Sequence, residues 1–274
     1  MTMPNRFPIK RLAHIRLPLV ALLMATAGCA RLGAPLVYGP RPEGAPKLRD
    51  LAASLAENDR GIANFRVKGT CTLTARDVKG KDRLDVTIEY RRPDDAYVRA
   101  SKTVLLVTRS AIARCVGGEF IFVDTDGNVT RGWPEGLVFE SIPFASTPAD
   151  MVREVFLPVD WDSVKPRNLR YEDAGEDSED LVLILDQDKH FTRRLTIQGP
   201  PWIVVRSELI DRRGVVFSSA VLDDYRDHGG IRFPASATAA LPVEGIVLAL
   251  DLKQIALNTE LKEDHFTIDE RDTP

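Results

Sequence analysis

Residues 65–76 (FRVKGTCTLTAR) and 84–91 (LDVTIEYR) decide the fold class. In the first, Phe65, Val67, Gly69, Cys71, Leu73 and Ala75 alternate with Arg66, Lys68, Thr70, Thr72, Thr74 and Arg76. In the second, Leu84, Val86, Ile88 and Tyr90 alternate with Asp85, Thr87, Glu89 and Arg91. A period of two puts all the apolar side chains on one face, the pattern of antiparallel strands with one dry and one wet side. Turn signals at Lys79-Gly80-Lys81, Pro93-Asp94-Asp95, Gly117-Gly118 and Asp126-Gly127-Asn128 punctuate these runs.

Working outward, further strands are expected at 96–102, 104–116, 119–125 and 129–133. After an interruption they resume at 168–173, 180–187, 192–198, 202–211, 215–227, 231–241 and 245–257. Asp211-Arg-Arg-Gly214 and Asp227-His-Gly-Gly230 are hairpin turns of the closing meander. Two helices are expected. Leu48, Leu51, Leu55 and Ile62 form a narrow apolar stripe over 48–63, the stripe of a helix lying on a sheet. Thr147-Pro148-Ala149-Asp150 starts a second helix over about 148–157, with a capping residue, a proline at the first position and an acid at the third. Its shared face is Met151, Val152, Val155 and Phe156, and Pro158 ends it. Strands never alternate with helices, so the fold class is mainly β with an α cover. It is a single curved antiparallel sheet of about eleven strands or more, an incomplete barrel closed by short helices.

The chain of 274 residues holds 37 Lys+Arg and 40 Asp+Glu, with 18 Gly and 18 Pro, a globular composition. Four of the bases, Arg6, Lys10, Arg11 and Arg16, precede an apolar run of about a dozen residues from Leu17. That run is too short to span a bilayer, which takes ~20 residues, and fits a secretory signal over 1–28. Thr26-Ala27-Gly28-Cys29 resembles the lipobox of bacterial lipoproteins, which makes Cys29 the expected acylated first residue of the mature chain. Ala30 follows where an aspartate would retain a lipoprotein at the inner membrane, so an outer-membrane anchor facing the periplasm is expected. Without the signal, 33 basic residues face 40 acidic ones. So acidic a domain repels a phosphate backbone, which excludes nucleic acid as a partner. Residues 29–46 are rich in proline and glycine and read as a tether, leaving 47–274 as one domain.

Candidate chemistry is sparse. There is no GxSxG, HExxH, Walker loop or dinucleotide fingerprint. No cofactor and no metal site is expected, and the protein does not read as an enzyme. Asp124, Asp126, Asn128 and Glu135 match calcium-loop positions 1, 3, 5 and 12. However, Val129 stands where the loop needs glycine, and Trp133-Pro134 blocks the exit helix, so a hairpin turn is the simpler reading. His190, His228 and His265 read as surface histidines, and the acidic run 172–180 as a solvated loop. In an exported protein, Cys71 and Cys115 are open either to a disulfide or to two buried thiols. Two short helices leave it open whether the concave face encloses an apolar cavity or closes with its own side chains. The residues expected to face a cavity are Phe65, Val67, Leu84, Val86, Ile88, Phe120 and Phe122, with Met151, Val155 and Phe156 from the cover.

Two stretches carry a family resemblance over roughly 48–268. Glu89-Tyr-Arg-Arg92-Pro93-Asp-Asp-Ala-Tyr97-Val-Arg99 contains a strand ending in Arg-Pro, followed by an aromatic and a basic residue. Leu222-Asp-Asp-Tyr225 leads through a turn to Phe233-Pro234, then to Leu252–Asn258 and Phe266. Their order resembles the LolA/LolB family of bacterial lipoprotein carriers and acceptors. The resemblance implies an incomplete barrel whose cavity receives the acyl chains of lipids or lipoproteins. It also implies that Arg92, the arginine before the proline, hydrogen-bonds the central helical lid. The expected role is a membrane-anchored, non-enzymatic carrier or acceptor of lipid or acylated protein. The alternative is an envelope sensor or scaffold lipoprotein that binds a periplasmic protein partner.

Overall fold

The computed structural model describes residues 38–76, 81–104, 107–132, 147–172 and 180–268. The signal segment, Cys29, the start of the tether, residues 133–146 and most of the acidic run lie outside the described residues. A helix, α1 (Leu48–Arg60), leads into six strands: β1 (Asn64–Ala75), β2 (Asp82–Arg91), β3 (Asp95–Val104), β4 (Val107–Val116), β5 (Glu119–Val123) and β6 (Val129–Gly132). Helix α2 (Pro148–Phe156) follows. Seven strands complete the chain: β7 (Leu169–Glu172), β8 (Leu181–Asp186), β9 (Phe191–Gln198), β10 (Ile203–Asp211), β11 (Val216–Asp227), β12 (Arg232–Leu241) and β13 (Ile246–Leu257).

All thirteen strands form one open, curved sheet in the order β6-β5-β4-β3-β2-β1-β13-β12-β11-β10-β9-β8-β7. Each half is an antiparallel meander of chain neighbours, and the pair β1–β13 alone joins the halves. That seam runs from Phe65 opposite Leu257 to Ala75 opposite Ile246, with a bulge between Lys68 and Gly69. Gly69 is required there by close approach of backbone, because a Cβ would stand 2.0 Å from the carbonyl oxygen of Asp251.

The period-two pattern becomes a two-part core. One part gathers Phe65, Val67, Val86, Ile88, Phe120, Leu222, Phe233 and Leu252 with Val152 and Phe156 of α2. The other packs Leu51, Leu55 and Ala56 of α1 on Leu169, Tyr171, Leu183, Leu195 and Ile197 of β7–β9. Helix α1 stops at Arg60, before the expected end at 63, with Gly61 as its C-cap; Ile62 lies beyond the helix and is still buried.

Two expectations change, and one left open is decided. The segment read as a tether is held to the sheet from Tyr38 onward. Tyr38 bridges to Glu172, Gly39 N–H donates to the Tyr171 carbonyl at 3.1 Å, and Tyr171 Oη donates to the Pro46 carbonyl at 2.6 Å. Proline-rich chain suits this place, since an edge strand tolerates missing N–H groups. The two cysteines are free and buried. Cys115 lies in register with Ala96, Tyr90 and Phe65, six positions along β1 from Cys71. They are thus ~20 Å apart along the strand and three strands apart across it, whereas a disulfide needs Cα atoms within ~7 Å. Finally, His265 is not a free surface histidine. A 3₁₀ turn at Glu263–Phe266 lays it on Tyr97 with ring centroids 3.9 Å apart, and its Nδ1 is 3.1 Å from Glu89 Oε2.

Gly69→Ala should destabilise the domain by about 1–3 kcal/mol, the cost of overpacking a rigid site. Urea unfolding is the measurement, and an unchanged midpoint would mean that the seam yields there.

Candidate ligand-binding site

The residues that carry the family resemblance meet at the C-terminal end of α1. The last carbonyls of a helix have no partner within it, and around this end side chains distant in sequence take the carbonyls of Asp59, Gly61 and Ile62. Arg92 Nε donates to the Ile62 carbonyl at 2.7 Å, and its Nη2 donates to the Asp59 carbonyl at 3.1 Å and to Asp59 Oδ2 at 2.8 Å. Asn258 Nδ2 donates to the Gly61 carbonyl at 2.6 Å while its Oδ1 accepts from Ala63 N–H at 2.8 Å. Asn58 pairs with the backbone of Arg232 through both its oxygen and its nitrogen. Burial raises the pKa of Asp59 above the usual aspartate range; Arg92 only partly offsets this, and Asp160 and Asp162 repel. Arg92 therefore ties the β2–β3 turn to α1, in place of the contact with the central helix that the resemblance implied.

Helix α2 crosses the concave side. Its start is a capping box in which Thr147 and Asp150 satisfy each other's backbone N–H. Its buried positions are Ala149, Val152 and Phe156. Phe156 completes an aromatic group with Phe65 and Phe233, with centroids 5.1–5.5 Å apart. Such groupings add ~1 kcal/mol per pair beyond buried area. Of the expected cavity residues, Phe65, Val67, Val86, Ile88, Phe120 and Phe156 meet in this core, with Val155 packed against it. Leu84 is buried further along β2, whereas Phe122 and Met151 are half-buried and outside the cluster.

Two neighbouring residues fasten α2 to opposite halves of the sheet. Arg153 Nη1 donates to Asp94 Oδ1 at 2.9 Å, in the β2–β3 turn. Glu154 reaches Arg193 on β9 through two parallel bonds, Nη1–Oε1 at 2.9 Å and Nη2–Oε2 at 2.8 Å. Ser218 on β11 donates to the same carboxylate, and Arg193 Nη1 also lies 2.9 Å from Ser207 Oγ on β10. Arg193 is only 2% exposed. Sequence reading passed over it, although alternation with Leu195 and Ile197 puts Arg193 on the buried face of β9.

Between the end of α1, the chain leaving α2 and strands β10–β12 lies a cleft of about 40 Å³. Leu55, Ile62, Phe156, Trp161, Leu222 and Phe233 line it with Asn58, Asp59, Tyr225 and Arg232. A cavity for a drug-sized ligand measures roughly 300–1,000 Å³. With α2 in place this cleft, among the described residues, is far smaller than that.

Neither of the described cysteines is poised for covalent chemistry. Burial pushes the Cys71 thiol up to about 11, and Cys115 is raised by the same cause. A thiol held protonated is a poor nucleophile. At the turn weighed as a calcium loop, Asp124 Oδ1 accepts the N–H groups of Asp126 and Asn128 at 2.7 and 2.9 Å. Burial works to raise that carboxyl, but these bonds and the Asn128 side chain bring its pKa below the ordinary value. The hairpin itself uses the oxygens a cation would need. Among the described residues, no three His, Cys, Asp or Glu side chains cluster as a metal site.

An open curved sheet with a helical cover on its concave side defines the LolA/LolB-like class of fold. A LolA superfamily protein from Nitrosomonas europaea superimposes with a TM-score of 0.51 at 12% identity, over 82% of this chain and 99% of that one. A DUF1329 family protein from Desulfovibrio piger gives 0.52 at 10% identity, over 81% and 98%. A Vibrio parahaemolyticus domain that carries an outer membrane lipoprotein-sorting description gives 0.52 at 12% identity, over 80% and 97%. No protein-family model matches the chain, and no curated protein matches its sequence.

Arg193→Ala should cost about 3–5 kcal/mol, because it leaves the Glu154 carboxylate without its buried partner. Arg153→Ala, which breaks a half-exposed pair, should cost under about 1 kcal/mol. Denaturant titration of both variants checks this; equal costs would show that the two ties are equivalent. Asp59 binds its proton more tightly in the folded chain than in the unfolded one. Its contribution to stability therefore falls as pH rises from the ordinary aspartate range through the raised value. Asp59→Asn should remove that part of the pH–stability slope, as seen in melts across acid pH.

Proposed function

We propose that the protein is a lipid-anchored, non-enzymatic carrier or acceptor in the bacterial envelope. It would take the acyl chains of lipids or lipoproteins under α2 and pass them to a membrane. The observation that carries this reading is the construction of the cover. The concave face is apolar, yet α2 adds only Ala149, Val152 and Phe156 to its core positions and is fastened at its edges by polar ties. Aliphatic chain replaces the Phe156 contacts with Phe65 and Phe233 in kind. Burial of acyl chain contributes ~0.8 kcal/mol per CH₂, so a chain of some sixteen carbons gains roughly ten kcal/mol, enough to offset undocking one short helix. Release then needs a competing apolar phase nearby, and acylation of Cys29 would hold the domain beside one.

The anchor supports a place at the outer membrane facing the periplasm. More than one acyl chain makes such anchoring stable. Attachment of residues 38–46 to β7 brings the folded sheet to within nine positions of Cys29 in the sequence. The domain would then work close to the lipid surface.

Native mass spectrometry of the full-length chain as Cys29→Ser, purified from bacteria without detergent, tests the cargo. An added mass that organic solvent extracts as lipid is expected. A bare mass that stays bare after incubation with fatty acids or acylated peptides would overturn the carrier reading and leave a scaffold for protein contacts. Mass analysis of the wild-type N-terminal peptide should show Cys29 as an acylated first residue.

A further inference from the structure

The floor of the concave face is not apolar throughout, and its polar spot is built in detail. The sheet neighbours of Arg193 are Leu185 on β8 and Leu209 on β10, both buried, and Leu195 follows it inward on β9. A guanidinium in that setting is costly unless its charge is matched. Glu154 matches it bidentately, Ser207 and Ser218 complete the ring, and Arg193 Nε makes no hydrogen bond among the described residues. Among the described residues its counter-charge therefore comes from α2 alone, the element that has to move for the cavity to open.

That creates a requirement on whatever takes the place of α2. A neutral chain would refill the aromatic group around Phe156 but strand Arg193 with its charge unmatched. A chain bearing a carboxylate or phosphate would restore both sets of contacts. Guanidinium forks suit these planar or tetrahedral oxyanions, and the two serines add donors. We propose that the ligand is an anionic amphiphile whose head replaces the Glu154 carboxylate on Arg193, Ser207 and Ser218. Helix α2 then acts as a built-in substitute, its Phe156 standing for acyl chain and its Glu154 for the head. The inference rests on the carrier reading above and adds the chemical class of the cargo.

The test uses the full-length chain as Cys29→Ser with three probes: oleate, oleyl alcohol and inorganic phosphate. Binding is followed at mildly alkaline pH by native mass spectrometry and by displacement of a fluorescent fatty acid. Oleate should bind at least about tenfold more tightly than oleyl alcohol, the usual worth of a hydrogen-bonded charge. Phosphate alone should not bind, because without a chain nothing replaces Phe156. Arg193→Met should bring oleate down to the level of the alcohol, and Arg193→Lys should restore part of the difference. Should Arg193→Met fail to fold, the oleate-to-alcohol ratio of the unsubstituted site still decides. Equal binding of oleate and alcohol overturns the role of the anion and leaves the carrier reading standing. Phosphate binding as tightly as oleate replaces the amphiphile with a simple anion site. Binding of neither lipid removes the carrier reading and this inference together.

Discussion

Strands β6 and β7 are consecutive in the chain and lie at opposite edges of a thirteen-stranded sheet. The connection between them has to pass from one edge to the other, and the curved sheet offers its hollow side for the passage. A cover is thus forced by topology before any side chain is considered. The same order leaves the two meanders joined only along β1 and β13, where the bulge at Gly69 lets two backbones approach more closely than a Cβ allows. Everything placed on the concave face depends on that seam and that crossing. Helix α2 sits where the crossing must go, and its Arg153 and Glu154 make contacts that neither half of the sheet makes alone.

Alternation and turn chemistry revealed the strands because each is a local signal. The runs at 65–76 and 84–91 became β1 and β2 with ends shifted by one or two residues, and Thr147-Pro148 began α2 as its capping pattern required. Register is not local. Parity put Cys71 on the dry face, yet nothing in either strand says that six residues and three strands separate it from Cys115. Arg193 differs: parity with Leu195 and Ile197 puts it on the dry face and Arg194 on the other, but its partner Glu154 lies 39 positions earlier in the chain, where no local signal points. The tether misled differently, because a flexible linker and a proline-rich segment laid on a sheet edge have the same composition.

The resemblance motifs also gain a physical meaning. Arg92 and Asn258 answer backbone carbonyls at the end of α1, Tyr225 Oη donates to the Val204 carbonyl, and Phe233 fills the space beneath. Arg92 and Asn258 share a target, the corner where α1 meets β1, and fixing that corner secures α1, which packs on β7–β9.

A carrier must bind cargo without becoming a trap, and the closed state bears on how. An empty apolar hollow would bind an acyl chain with the full burial energy and release it only slowly. Here the hollow is already occupied by Phe156 against Phe65 and Phe233, and by Glu154 against Arg193. On the proposed reading, cargo exchanges with contacts of the same kind, so the net free energy of loading is a small difference between two filled states. Small differences are tunable by the surroundings: a partner that supplies chains favours the open state, and a nearby bilayer that accepts them favours the closed one. The buried arginine fits this scheme better than an all-hydrocarbon floor would. It makes the half-open state, with the cover lifted and no cargo seated, the least favourable of the three, so opening and loading are coupled.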